Sequence, residues 1–136
     1  MYWTKCCGSI GKAGLRGEDP TTFVSGLQFP MGIVIDFQSS KLYWTDHHSM
    51  KIQSSDRNGL NVVTVQKLSR QPFGIAVLDG NLYWSLSDKA SGLVVQTLSL
   101  ATGQTSVVRS VTYSETTGIG QLTAAGGFPH MNRTSQ

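Results

Sequence analysis

Phe29-Pro30-Met31-Gly32-Ile33-Val34-Ile35-Asp36, a short break, then Lys41-Leu42-Tyr43-Trp44-Thr45-Asp46: these two runs decide the fold. The same order returns as Gln71-Pro72-Phe73-Gly74-Ile75-Ala76-Val77 followed by Asn81-Leu82-Tyr83-Trp84. The Tyr-Trp pair also stands at Tyr2-Trp3, so the three tryptophans of the chain are spaced 41 and 40 residues apart. A pair returning at that period marks a repeat whose unit is one small sheet. Flanking positions keep step, with Ile10 against Ile52, Gly17 against Gly59, and Phe23-Val24 against Val63-Thr64-Val65. The third unit is weaker. Val94-Val95 and Gly103 fall near their expected places, but Thr117-Gly118-Ile119-Gly120 replaces the Pro-x-Gly step.

Each unit divides into four strand signals. The first is Gly32 to Asp36 or Gly74 to Leu78. The second is Leu42 to Asp46 or Leu82 to Leu86. The third is Lys51 to Asp56 or Leu93 to Leu100, and the fourth Asn61 to Gln66 or Thr105 to Arg109. Asn58-Gly59 and Asp79-Gly80 are hairpin signals, because glycine supplies positive φ without a Cβ clash. Four antiparallel strands in roughly 40 residues make a propeller blade. The reading is therefore all-β, a partial β-propeller of about three four-stranded blades over 1–125. Residues 1–27 are an incomplete blade, 28–69 and 70–110 are whole blades, and 111–125 open a further one. Residues 126–136 form a polar tail. Since propellers need about 4–8 blades, and Met1 abuts the first Tyr-Trp, a piece of a longer chain or an incomplete gene model is expected. An unstable fragment with no function of its own is one outcome of that expectation.

Bulk composition excludes several classes. The chain has 136 residues and a net charge of +3, from 11 Lys+Arg against 8 Asp+Glu, and its basic residues are scattered. No cluster suggests nucleic acid, and no apolar run approaches the roughly 20 residues of a membrane span. No signal peptide is recognisable; if a longer chain precedes Met1, targeting information lies there.

The Pro-x-Gly, Tyr-Trp and late Gly signals resemble, in register over roughly residues 1–110, the YWTD (class B) repeats of the low-density lipoprotein receptor family. The motif residues are Tyr2, Trp3, Tyr43, Trp44, Thr45, Asp46, Tyr83 and Trp84. The resemblance implies an extracellular six-bladed propeller, usually followed by an EGF-like module, in a secreted protein or the ectodomain of a cell-surface receptor. Family members include endocytic receptors, Wnt co-receptors and nidogens. It implies a non-catalytic module that binds an extracellular protein ligand, with no cofactor and no direct membrane insertion. The chain departs from the pattern at two places. Lys5 and Leu86 occupy the position where Asp46 completes Tyr-Trp-Thr-Asp, and in the family that Asp fixes blade-to-blade contacts.

Several residues are candidates for chemistry. Adjacent strand residues point to opposite faces, so each Tyr-Trp pair is expected to fill two different inter-blade interfaces. Asp36 and Asp46 suit backbone N–H groups and nearby cations better than paired acid–base work. His47 and His48 lie in the loop between the second and third strands, with no third ligand at zinc spacing. In propellers that loop shares a face with the connection between blades. This gathers His47, His48, Phe29, Arg70 and Phe73, with Met31 and Gln71, on one face. Aromatic, Arg and Met residues are what a binding hot spot uses; the competing reading is two solvated loop histidines. Endocytic members release ligand at acid pH, a window in which histidine titrates.

Cys6-Cys7 has no other cysteine to pair with. The pair implies a partner in a longer chain, interchain bonding or a frameshifted gene model, and a redox or metal role lacks the usual spacing. Asn132-Arg133-Thr134 is a glycosylation sequon. Two further expectations complete the reading. The strand near 117–125 of one copy completes the incomplete blade of a second, giving a strand-swapped homodimer. The rival function is a calcium-dependent lactonase or esterase, which needs inward polar residues where this chain has Met31-Gly32-Ile33 and Phe73-Gly74-Ile75.

Overall fold

A computed structural model describes residues 1–88, 92–113 and 120–123. The tail 126–136 and Asn132 lie outside the described residues. The first sheet holds β1 (Tyr2–Lys5), β2 (Ser9–Lys12) and β3 (Thr21–Val24). The second holds β4 (Pro30–Asp36), β5 (Lys41–Asp46), β6 (Lys51–Asp56) and β7 (Val63–Lys67). The third holds β8 (Pro72–Leu78), β9 (Asn81–Asp88), β10 (Gly92–Ser99), β11 (Thr105–Tyr113) and β12 (Gly120–Thr123). Every sheet is an antiparallel meander in chain order. This is the propeller arrangement.

One expectation differs from the pairing. A strand near 117–125 was to open a further blade, yet β12 runs antiparallel to β11 with Thr112 opposite Gln121. It lies at the edge of the third sheet as a fifth strand. Thr105–Tyr113 has nine residues, longer than its counterpart β7, so its far end offers unpaired N–H and C=O groups that a returning strand can satisfy.

The turns follow their residues. Asp79 and Gly80 both have positive φ, 48° and 73°, which is what a two-residue I′ hairpin requires. The turn after β6 is built by Asp56, whose carboxylate accepts from the amides of Asn58 and Leu60 at 2.8 and 3.0 Å. Gly59 there has φ 79° and lies so close to the first sheet that a Cβ would meet Phe23 O at 2.4 Å. The Gly that marks the repeat thus serves both the turn and the seam.

The core lies in the seams between sheets. Ile10, Val24, Leu42 and Trp44 form one buried cluster between the first and second sheets. Tyr43, Ile52, Leu82, Trp84, Leu86 and Leu98 form another between the second and third. Pleating explains the division: Leu42 and Trp44 face backwards along the chain, and Tyr43 and Thr45 face forwards. Leu82, Trp84 and Leu86 repeat the backward set one sheet on. Trp44 is fully buried and Trp84 is 2% exposed, and each would cost about 3–5 kcal/mol if cut to Ala. Neither indole Nε1 finds a hydrogen-bond partner among the described residues.

Candidate functional site

The Pro-x-Gly step builds the seam that carries the site. The β4–β5 pairing jumps from Pro30 opposite Asp46 to Ile33 opposite Trp44, so Met31-Gly32 is a bulge. The β8–β9 pairing jumps identically between Pro72 and Ile75. Each bulge turns a carbonyl toward the preceding sheet. Thr4 Oγ1 donates to Met31 O at 3.0 Å, and Thr45 Oγ1 donates to Phe73 O at 2.6 Å. Thr45 Oγ1 also accepts from Gly32 N at 2.9 Å. Gly32 has no room for a side chain, since a Cβ there would lie 2.7 Å from Phe73 O and 2.9 Å from Ile75 N.

Asp46 organises the loops at one end of the second sheet. It is 1% exposed. Its carboxylate accepts from Gln28 N at 2.8 Å and Phe29 N at 3.0 Å, in the connection from the first sheet. It also accepts from Ser49 N at 3.2 Å, in its own β5–β6 turn. Burial works to raise its pKa, but these backbone N–H donors outweigh it and hold the carboxyl below the ordinary value. Asp36 acts locally: the Ser39 hydroxyl, then the amides of Gln38 and Ser39, hold its pKa low against the opposing effect of burial. Asp36 is thus occupied by donors of its own turn, and Asp46 by donors of two loops.

With the two loops tied together, four rings converge. The Phe29 ring centroid lies 5.9 Å from His47 and 5.4 Å from His48. His47 lies 5.9 Å from His48 and packs edge-on against Phe73 at 4.8 Å. His47 N donates to Phe29 O at 2.8 Å. Its ring Nδ1 is 3.0 Å from Pro72 O. A carbonyl only accepts, so in this contact Nδ1 is the donor. His47 and Phe73 are half-buried, whereas His48, Met31, Gln71 and Arg70 are exposed. The cluster therefore bridges the second and third sheets, with a half-buried floor of Phe73 and His47 and an open rim.

The anticipated residues Phe29, His47, His48 and Phe73 are brought into ring contact. Arg70 lies on the connection from the second sheet to the third, just before Gln71 and Pro72. The sequence reading missed the carbonyls of Met31, Pro72 and Phe73, because a backbone acceptor leaves no trace in residue type. It also missed that Thr45 and Gly32 clasp the seam; the Pro-x-Gly bulge was the available signal.

Residues 40–77 match the family described as low-density lipoprotein receptor repeat class B. The match runs from the start of β5 into β8. The chain is 36% identical over 89 residues to low-density lipoprotein receptor-related protein 5 of Mus musculus, covering 62% of this chain and 6% of that one. It is 32% identical over 89 residues to the vitellogenin receptor of Solenopsis invicta, covering 62% of this chain and 5% of that one. It thus spans only a small part of these relatives. Among solved structures, it superposes with a TM-score of 0.74 and 27% identity on a chain in the crystal structure of a nidogen/laminin complex. That match covers 80% of this chain and 43% of the other. The YWTD-type β-propeller fold rests on this likeness together with the three sheets.

Proposed function

We propose that this chain is an extracellular protein-binding module of the lipoprotein-receptor-related type, working by display and without chemistry. The observation that carries the reading is the Phe29–His47–His48–Phe73 cluster beside the exposed side chains of Met31 and Arg70. Aromatic rings on a stiff two-sheet seam lose little entropy on binding and leave a polar rim, which is how interface hot spots are built. The relatives' names support a receptor setting at the cell surface, and no helix among the described residues is long and apolar enough to cross a membrane. The blades proposed are 1–27, 28–69 and 70–110, with an EGF-like module expected in a parent chain.

The test uses the two proteins that the relatives' names supply as probes, vitellogenin and laminin. Binding to the immobilised chain is compared with binding to Phe73→Ala, His48→Ala and, at the opposite end of the sheets, Lys41→Ala. A loss of about tenfold, near 1.4 kcal/mol, is expected for the first two and none for the third. Equal affinity for all four, or no binding to either probe, overturns the reading. The rival hydrolase needs several polar ligands converging on a cation, and no three His, Cys, Asp or Glu side chains are so grouped among the described residues. Calcium-dependent turnover of an ester or lactone would establish it instead.

A further inference from the structure

Cys6 and Cys7 occupy a three-residue hairpin loop. Lys5 pairs with Ser9, so Cys6-Cys7-Gly8 is the whole turn, and Gly8 takes the left-handed conformation at φ 79° that such loops place last. Both thiols are exposed, and their sulfurs are 3.6 Å apart. The sequence lacks the spacing of a redox motif, but the turn supplies the contact that spacing ordinarily provides. The peptide between the two cysteines is trans, so their Cα atoms are about 3.8 Å apart. Ordinary disulfides span about 4.4–6.8 Å. A bond here is strained, and strained exposed disulfides are the reducible ones.

The turn is wired to the aromatic cluster. Leu27 N donates to Gly8 O at 2.9 Å, and Gly8 is wedged so tightly that a Cβ would meet Leu27 O at 2.1 Å. The next two residues, Gln28 and Phe29, are the ones whose amides Asp46 holds. Phe29 then packs on both histidines.

We propose that Cys6 and Cys7 form a reversible dithiol–disulfide site, oxidised by low-molecular-weight disulfides, whose state is passed through Gly8 and Leu27 to the Phe29–His47–His48 cluster. This second part rests on that cluster being the binding face. One cysteine thiolate attacks a sulfur of the external disulfide, forming a mixed disulfide and releasing one thiolate. The other cysteine then attacks the protein sulfur of the mixed disulfide, and the second external thiolate leaves. Two electrons pass from the protein dithiol to the external disulfide, and two protons accompany the released thiols. The hydrogen bond with Cys6, then that neighbour's charge, raise the pKa of Cys7.

The experiment treats the full chain with graded oxidised and reduced glutathione. Intact mass and the imidazole NMR signals of His47 and His48 are read together. The expected result is a monomer lighter by two hydrogens, formed only in a large excess of oxidised glutathione, reversed by reduced glutathione, with shifted imidazole signals. Cys6→Ser and Cys7→Ser must each yield only mixed disulfides or dimers, and the double variant must show no imidazole shift. Stable glutathione adducts or interchain disulfides in the unaltered chain overturn the site. Closure with unmoved imidazole signals overturns the coupling and leaves the binding face to the probe-binding test.

Discussion

At the scale of single residues, Asp46 does the most with one side chain. It holds three backbone amides from two loops, and its removal leaves these part-buried donors without their acceptor. Asp46→Ala is expected to cost on the order of 3 kcal/mol, read from denaturant midpoints. The pH dependence has a definite sign. The folded-state pKa is lowered, so the stability it confers is complete above the unfolded value of about 3.9. That stability is lost as pH falls through the lower folded value. Asp36 and Asp56 are lowered as well and add to the same acid loss. The stability gap between the unaltered chain and Asp46→Asn should therefore narrow below about pH 4. A gap that stays constant into stronger acid would mean that the carboxylate charge is not its source. Thr45→Val tests the neighbouring clasp. It leaves Phe73 O and Gly32 N without their partner, at about 2 kcal/mol, whereas Thr4→Val at the less buried seam should cost less.

At the scale of strands and bulges, the repeat was legible wherever side-chain type carries the physics. The Leu-Tyr-Trp alternation announced two-faced strands, and Asp79-Gly80 announced its turn. The position of β12 was not legible, because Gly120-Gln121-Leu122-Thr123 has the pattern of any short strand and pairing to β11 depends on which edge is open. The ring cluster was half legible: residue types and loop positions placed Phe29, His47, His48 and Phe73 together, but the ordering by Asp46 and Pro72 O is a matter of backbone geometry. The two bulge glycines give an internal control. Gly32 is pressed by the backbone of the next sheet, so Gly32→Ala should destabilise by about 1–3 kcal/mol. At Gly74 a Cβ meets only Ser85 Oγ, at 3.5 Å, and Gly74→Ala should stay within about 0.5 kcal/mol. Equal costs in thermal unfolding would show that strand propensity, not seam closeness, sets the glycine requirement.

At the scale of the whole molecule, the same seam is built twice among the described residues. The first sheet presents the half-buried Trp3 outward, with the indole over Gly11. The third presents Ala76, Leu78, Tyr83, Leu93 and Val95, the face that in the second sheet covers the next tryptophan. Leu78 is 61% exposed and Leu93 is 42% exposed. Apolar surface of this kind drives association, and the unpaired edge of β1 offers a second route through strand exchange. Exchange requires β12 to leave β11, so the two routes are separable. Sedimentation over graded concentrations should show association of the unaltered chain. If the faces drive it, Leu78→Lys with Leu93→Lys abolishes it, with a stability change within about 0.5 kcal/mol because the two residues are exposed. If strands are exchanged, that pair has no effect, and a chain ending at residue 116 stays monomeric. A chain that is monomeric at every concentration would refute both routes, including the strand-swapped dimer.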